Sequence, residues 1–346
     1  MILHEEKINA RMITLAREAR GLSQAELIDK INVSQATLSK MEKEEVPVHE
    51  DMLKKISEAL NFPKKFFYQE GEILPPNMSY RKRNKVAQKI ITPIEANVNI
   101  YRLNILKLLK AINFSQANFP IIDLAKGITP EEAARTVRRF WNVPNGAIEN
   151  VTDLLEENKI IVMSFDFDTE RVDGRGVLAL EKNPVIFVNK NQLADRQRFT
   201  LAYELGHIVM HLFTSPSFDR DVSHEANLFA AEFLMPEAEI RNDLKETVTM
   251  AKLAEMKRKW QQSMIALLFR GNTLQLITDN QKRYLISQFN SLKIRRREPP
   301  ELDVQREVPK LLRDLITNYK SKQRLTVQGM AEFLNLQHQD FLKRYS

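Results

Sequence analysis

The hydrophobic and polar positions of the first seventy residues repeat with a helical period. One face of the first predicted helix carries four apolar residues at spacings of three and four: Ile8, Met12, Leu15 and Ala19. Gly21 marks the end of that helix. Ser23, with Glu26 three residues later, has the spacing of a capping box at the start of a second helix. The pattern therefore predicts two helices separated by a short turn.

A third helix follows directly, and the second and third helices together predict a DNA-binding unit. Ser34 is its predicted N-cap, and Leu38 and Met41 face inward. A fourth helix is predicted over residues 50–60, and Pro63 begins a short fifth. Two short helices joined by a tight turn in a five-helix bundle form the helix-turn-helix arrangement.

The outward face of the third helix has the chemistry that reads DNA. Its side chains are short or polar: Gln35, Ala36, Thr37, Ser39 and Lys40. Amides pair with adenine, lysine pairs with guanine, and methyl groups contact thymine in the major groove. A double-stranded DNA operator is therefore the expected partner.

The middle of the chain predicts a linker, several helices and a small sheet. Pro75-Pro76 and the basic run 81–85 predict a linker, which either contacts phosphates or is a solvated turn. A long helix is expected over 93–112, and Thr129 caps another that includes Phe140 and Trp141 as core residues. Three apolar, β-branched runs predict a three-stranded sheet over 160–167, 176–182 and 184–189. A long apolar helix follows from residue 195.

Composition restricts the class of protein. The 346 residues are 43% hydrophobic and 28% charged, which is ordinary for a globular protein. No apolar run is long enough to span a membrane, and the N-terminus lacks a secretory signal. We therefore expect a cytoplasmic protein without membrane association. Since the chain has no cysteine, only His, Asp and Glu remain as strong metal ligands.

The net charge of +7 is concentrated near the C-terminus, where residues 281–346 hold 14 Lys and Arg against 7 Asp and Glu. This segment either meets nucleic-acid phosphates or is a solvated basic tail. The pattern of its last part, 325–345, predicts two short helices joined by a turn, and two roles for these helices are open. They form a second nucleic-acid or partner surface, or they form a capping bundle.

The stretch "FTLAYELGHIVMHL" resembles a zinc-peptidase helix with one substitution. In the H-E-x-x-H pattern two histidines bind zinc from one helical face, and the glutamate acts as general base. Glu204 and His207 occupy the base and second-ligand positions, but Tyr203 replaces the first histidine. Glu225, on a second predicted helix, is spaced as a third ligand.

Two alternatives could replace the missing histidine. Tyr203 would have to bind as phenolate, which costs about 4 kcal/mol at pH 7 from a reference pKa near 10. Alternatively His207, His211 and Glu225 could bind a metal, although the residue after His207 is then Ile208 rather than a base. Zinc is thus an uncertain cofactor.

The segment "GLSQAELIDKINVSQATLSKME" resembles the Cro/C1-type, or XRE, helix-turn-helix family. The resemblance implies that Gln24 holds the backbone at the start of the second helix and that Ser34 begins the recognition helix. Its implied base-facing residues are Gln35, Ala36 and Lys40, and its implied phosphate-facing residues are Thr37, Ser39 and Lys43. It also implies a homodimer on half-sites about one helical turn apart. The family often has glycine after this helix, where "KEEVP" places Glu44 and Glu45.

A second resemblance covers residues 120–240. "TPEEAARTVRRFWNVPNGAIENVTDLLEENKIIV", "NPVIFVN", "RQRFTLAYELGHIVMH" and "HEANLFAAEFLMP" are similar to the ImmA/IrrE zinc metallo-endopeptidases, which often carry a repressor-like domain in front. That family's ligands fall on positions 203, 207 and 225, with Glu204 as base. The departure at Tyr203 puts the zinc site in doubt.

These observations predict a mainly α protein with a small β-sheet (α+β). The expected domains are a helix-turn-helix domain (1–72), a basic linker with a long helix (73–118), a zincin-like peptidase domain (119–240) and a helical C-terminal region (241–346). The leading hypothesis is a transcriptional regulator whose peptidase-like domain is a sensor or control module with a degenerate zinc site. The alternatives are an active zinc endopeptidase that cleaves a partner repressor, and a non-catalytic interaction protein of a phage or mobile-element immunity system.

Overall fold

The computed structural model describes residues 7–71, 73, 81–82, 86–214, 216–217 and 219–345. The helices and strands of its first half are α1 (Arg11–Ala19), α2 (Gln24–Ile31), α3 (Gln35–Glu42), α4 (Glu50–Leu60), a 3₁₀ turn (Lys64–Tyr68), β1 (Arg81–Lys82), α5 (Gln88–Ala111), a 3₁₀ turn (Leu124–Lys126), α6 (Pro130–Phe140), α7 (Val151–Glu157), β2 (Ile161–Phe165), β3 (Val172–Leu180) and β4 (Asn183–Asn189).

The second half is helical throughout the described residues. Its elements are α8 (Ala194–Met210), α9 (Val222–Leu234), α10 (Glu237–Asp243), α11 (Met250–Trp260), α12 (Met264–Thr273), α13 (Asp279–Ser291), a 3₁₀ turn (Pro300–Leu302), α14 (Leu311–Lys322), α15 (Val327–Phe333) and α16 (His338–Tyr345). The predicted mainly α fold with a small sheet is confirmed.

The helix-turn-helix unit forms where the capping residues predict it. Ser23 and Glu26 make the capping box of α2, and the Ser34 hydroxyl accepts the Thr37 N–H at the start of α3. Asn32 takes the left-handed conformation between the two helices, which asparagine tolerates better than most residues. The predicted fifth helix is the 3₁₀ turn after Pro63.

The sheet has the order β1-β3-β4-β2, in which β2 and β4 are parallel and the other pairs antiparallel. The three predicted strands are present as β2, β3 and β4. An additional two-residue strand, β1, lies in the predicted linker and pairs with β3. Of the predicted basic run, Arg83 and Lys85 lie outside the described residues.

Alternation along the strands gives the sheet two buried faces. Ile161, Met163 and Phe187 join the apolar cluster that includes α1 and α5. Val162 and Ile186 join the cluster that includes α8 and α9. The sheet therefore separates the N-terminal helical bundle and α5 from α8 and α9.

Two glycines allow α8 to lie close to its neighbours. A Cβ atom on Gly174 of β3 would lie 2.5 Å from the Thr200 side chain of α8. A Cβ atom on Gly206 would lie 3.0 Å from the Phe229 ring of α9. A methyl group at Gly174 would overlap the Thr200 side chain, and one at Gly206 would force the Phe229 ring to shift, so these glycines set how closely α8 packs on its neighbours.

The C-terminal helices return to the N-terminal bundle. Arg20 at the end of α1 pairs with Asp340 of α16 at 2.6 Å. Arg344 donates to Asn97 of α5 at 2.8 Å, and Asn104 of α5 contacts the Tyr345 hydroxyl at 3.2 Å. Of the two alternatives for residues 325–345, this packing corresponds to a capping bundle.

The connection from the peptidase-like helices to α14 crosses α7 as an extended strap, residues 303–310. Glu307 accepts the backbone N–H of Thr152 at 2.7 Å and pairs with the buried Arg198 of α8. Glu156 of α7 accepts the backbone N–H of Lys310 at 2.9 Å. Polar contacts therefore hold the strap at its middle and at its C-terminal end.

The hydrophobic core forms two clusters that extend beyond single segments of the chain. One joins residues 10–67 and α5 to buried residues of α14–α16, and the other contains α6–α13. The predicted domain boundaries remain predictions. The prediction of Phe140 as a core residue was wrong, because this ring is 48% exposed while Ala133 and Val137 of α6 face inward. No helix in the described ranges is long and apolar enough to cross a bilayer.

Candidate DNA-reading helix and peptidase-like site

Helix α3 presents the predicted polar face to solvent. Leu38 is fully buried and Met41 nearly so, which orients the opposite face outward. The predicted DNA-reading residues on that face are exposed or half-buried: Ser34, Gln35, Ala36, Thr37, Ser39, Lys40 and Lys43. The side chains that would contact base edges are therefore available on the outer face of a rigidly capped helix.

Gln24 is held by a neighbouring carboxylate. Its amide nitrogen donates to Glu42 of α3 at 2.7 Å, and Arg17 of α1 pairs with the same carboxylate at 2.7 Å. This network ties α1, α2 and α3 together. The predicted role of Gln24 at the start of α2 thus coincides with a role in fixing α2 against α3.

Glu44 occupies the position where the repressor family often has glycine. Its φ is +62°, in the left-handed region that favours glycine. Its carboxylate lies 3.6 Å from the Arg11 guanidinium, and both side chains are exposed. An exposed pair of this kind contributes little, so the backbone strain is not fully offset.

In the peptidase-like domain, the predicted site residues lie on α8 and at the start of α9. Tyr203 and Glu204 are buried, with exposed fractions of 2% and 1%. Glu204 accepts the backbone N–H of Gly176 of β3 at 2.8 Å. The Tyr203 ring contacts the His207 ring edge to face, with centroids 4.7 Å apart.

A chain of hydrogen bonds and ion pairs connects the remaining residues. The Nδ1 atoms of His207 and His211 are 2.9 Å apart, and His211 Nε2 lies 2.9 Å from Glu225 Oε2. Arg220 donates from Nε and Nη2 to Glu225 Oε1, at 2.8 and 2.7 Å. The predicted ligands are therefore partners of one another and of an arginine.

Burial keeps His207 neutral. Desolvation, with a smaller contribution from His211, lowers its pKa to about 3. Burial also lowers the pKa of His211, although its contact with Glu225 opposes this shift. Because His207 Nε2 is buried and has no hydrogen-bond partner among the described residues, the ring bears a polar atom that the surrounding protein does not satisfy.

These residues do not fit a zinc ion as the ImmA/IrrE pattern requires. Tyr203 provides a buried phenol in place of an imidazole, and both Glu225 oxygens already have partners. The shifted set does not converge either, because His211 meets His207 and Glu225 through opposite ring nitrogens. Within the described ranges, no group of three or more His, Asp or Glu side chains is placed to hold a metal ion.

Sequence reasoning did not identify Arg220 or the contact of Glu204 with β3. Arg220 precedes the N-cap Asp221 of α9, and its position beside Glu225 depends on the path of the chain before the helix. The Gly176–Glu204 hydrogen bond joins residues that are 28 positions apart. The sequence signal was a lone arginine five residues before a predicted ligand, which by itself indicates only a surface charge.

The two parts define a DNA-binding protein with a metallopeptidase-like domain. Residues 13–67 match the family model of a helix-turn-helix, and residues 155–272 match the peptidase M78 model, described as an IrrE N-terminal-like domain. The chain therefore carries an XRE-type helix-turn-helix fused to an ImmA/IrrE-like domain, and both predicted resemblances are confirmed. A search of curated proteins gave no match.

Proposed function

We propose that this protein is a sequence-specific DNA-binding transcriptional regulator whose peptidase-like domain senses a signal or controls the regulator without zinc-dependent proteolysis. The observation that carries the proposal is the exposed polar face of α3, held by the capped α2–α3 unit. In this arrangement Gln35, Ala36 and Lys40 meet base edges in the major groove. A homodimer would place two such helices one helical turn apart.

The geometry of the peptidase-like site supports the second half of the proposal. A metal at the position of Glu225 would meet the Arg220 guanidinium, which carries the same sign of charge. Glu204 holds α8 to β3 through the Gly176 N–H, which is a structural contribution that does not require catalysis. The domain thus keeps the peptidase architecture with a polar network in place of the ligand set.

The test begins with selection of bound sequences from a random duplex library by the full chain. A preferred sequence is expected, and Lys40→Ala should weaken its binding about 5- to 150-fold, because a lost base contact costs about 1–3 kcal/mol. Lys245→Ala is the matched control, since this exposed lysine lies far along the chain from α3. Unselective binding, or equal affinity of the Lys40 variant, would refute DNA reading by α3.

Salt dependence separates base contacts from phosphate contacts. Lys43→Ala should weaken binding to all sequences alike and reduce the slope of log K against log salt by about 1. Glu45 and Glu44, which follow Lys43, oppose phosphate binding. An unchanged slope would show that Lys43 does not face the DNA backbone.

The rival proposal, a zinc endopeptidase that cleaves a partner repressor, predicts different results. It requires near-stoichiometric zinc, cleavage that a chelator stops, and loss of cleavage in Glu204→Gln. The non-catalytic interaction protein requires a stable complex with a partner that a chelator leaves intact. Selective DNA binding without any of these results supports the regulator.

A further inference from the structure

A cavity of about 750 Å³ lies where three parts of the chain meet. Its walls come from the end of the DNA-binding bundle (65–70), from α5, and from the α14–α15 region. The volume is in the range of pockets that hold small molecules. None of the predicted site residues of α3, α8 or α9 lines it.

Three lysines converge on this cavity: Lys65, Lys107 and Lys110. Within the described part of the chain, none of them pairs with a carboxylate, whereas the neighbouring Lys64 pairs with Glu50 at 2.9 Å. Lys107 is half-buried, and its ammonium group donates to an amide oxygen, Asn335 Oδ1, at 3.4 Å. Burial and the positive charge of Lys65 lower the pKa of Lys107. An anion between these two lysines would favour the charged form of Lys107 and so oppose both effects.

Aromatic rings form another part of the wall. The rings of Tyr319 and Phe333 have centroids 4.7 Å apart with a tilt of 38°, and both line the cavity. The Lys107 ammonium lies 5.1 Å from the Phe333 ring centroid, so the cationic and aromatic parts adjoin. A ligand with a planar ring can contact the aromatic wall and reach the lysines with its charged end.

Two carboxylates also line the cavity and leave the balance positive. Glu332 accepts a hydrogen bond from Gln328 at 2.9 Å, and Glu70 is exposed. Both lie on the wall with three lysines, so the formal charge of the lining side chains is positive. The preferred ligand is therefore an anion.

We propose that this cavity binds a small aromatic anion with two or more negative charges, which is the chemistry of a mononucleotide or of an aromatic dicarboxylate. Lysine ammonium groups bind such charges as flexible point charges, and the ring occupies the aromatic wall. The role of this ligand as an effector rests on the proposed function, because Lys65 belongs to the last turn of the DNA-binding bundle. The binding itself does not depend on that role.

The experiment is titration calorimetry of the full chain with adenosine monophosphate, isophthalate and inorganic phosphate. Binding of either aromatic anion, with phosphate at least tenfold weaker, is expected. Lys107→Gln should weaken binding at least tenfold, and so should Lys65→Gln at the more exposed lysine. Phe333→Leu should weaken binding of the two aromatic anions and leave binding of inorganic phosphate unchanged. Lys64→Gln is the matched control and should bind as the wild type does. Melting temperatures check that each variant folds.

The outcomes are distinguishable from failure of the proposed function. Binding of the monophosphate only assigns a nucleotide, and binding of isophthalate only assigns a carboxylate. No binding of either, binding unchanged in both lysine variants, or preference for an oligonucleotide over the mononucleotide would overturn the inference. Selective binding of the operator, measured separately without ligand, tests the proposed regulator function independently of the cavity.

Discussion

Restoring the full zinc affinity of the site should take two substitutions, Tyr203→His and Arg220→Ala. The phenol of Tyr203 can bind zinc strongly only after ionisation, which costs about 4 kcal/mol at pH 7 for a reference pKa near 10. Histidine at that position removes this cost. Arg220, however, still holds Glu225 Oε1 through two hydrogen bonds of 2.7 and 2.8 Å.

The cost that Arg220 adds to zinc binding is the smaller of two free energies, because the arginine can either stay near the metal ion or move away from Glu225. If the guanidinium stayed about 4 Å from a divalent ion, repulsion would cost up to about 8 kcal/mol at an effective dielectric constant of 20. If it moved away, the loss of a charged hydrogen-bonded pair would cost about 2 kcal/mol. Movement of the arginine is the cheaper response. Together with the ionisation of Tyr203, it makes zinc binding by the wild type about 6 kcal/mol less favourable, or about 10⁴-fold weaker.

The assay is competition for zinc against a chromogenic chelator, with metal content measured after dialysis. Tyr203→His should gain about 10³-fold in affinity, and the double variant about 10⁴-fold over wild type. Tyr203→Phe, which removes only the hydroxyl group, should gain nothing. Arg241→Ala is the control for the arginine, because its exposed pair with Glu237 lies on α10. Wild-type protein that holds zinc as tightly as the double variant would refute the reasoning.

Two further predictions concern stability. Glu44→Gly should raise the free energy of unfolding by up to about 1 kcal/mol, because it removes left-handed strain, while Glu45→Gly should lower it; equal losses in chemical denaturation would contradict the strain argument. The His207 pKa of about 3 lies below the unfolded reference of about 6.5, so its contribution is complete above pH 6.5 and falls as pH decreases towards 3. Between pH 7 and pH 5 about 2 kcal/mol should be lost in a chelating buffer, and His207→Gln should flatten this dependence whereas the exposed His338→Gln should not. A pH dependence that persists unchanged in His207→Gln would show that another group causes it.

Sequence reasoning succeeded where local chemistry determines the structure. Ser23, Glu26 and Ser34 cap their helices through residues three positions away, and Asn32 satisfies a left-handed turn by itself. The apolar runs of β2, β3 and β4 are long enough to be recognised as strands from the sequence. For the same reason Gln35 and its neighbours on α3 could be assigned to the outer face before the fold was known.

The remaining features depend on contacts between distant residues. The two-residue β1 is too short for any periodicity, and its pairing is set by β3. Phe140 is the last residue of α6 and Trp141 is its C-cap; the sequence predicted both rings as core residues, and only the packing of α6 shows that Phe140 faces solvent. Arg220 determines the chemistry of the candidate site through the ion pair with Glu225, a pairing that depends on three-dimensional proximity.

The return of α14–α16 to the first helices sets a condition on folding during translation. Arg20 and Asp340 are 320 residues apart, and buried Leu312 and Phe341 belong to the same cluster as α1 and α5. On a ribosome that adds about 5–20 residues per second, Arg20 waits at least about 16 seconds for Asp340, and the completed α5 waits at least about 11 seconds for α16. During that time the apolar side of α5 is open to chaperones, or to the matching segment of a neighbouring nascent chain. Domain swapping through the strap at 303–310 is therefore the characteristic misassembly to expect on a polysome.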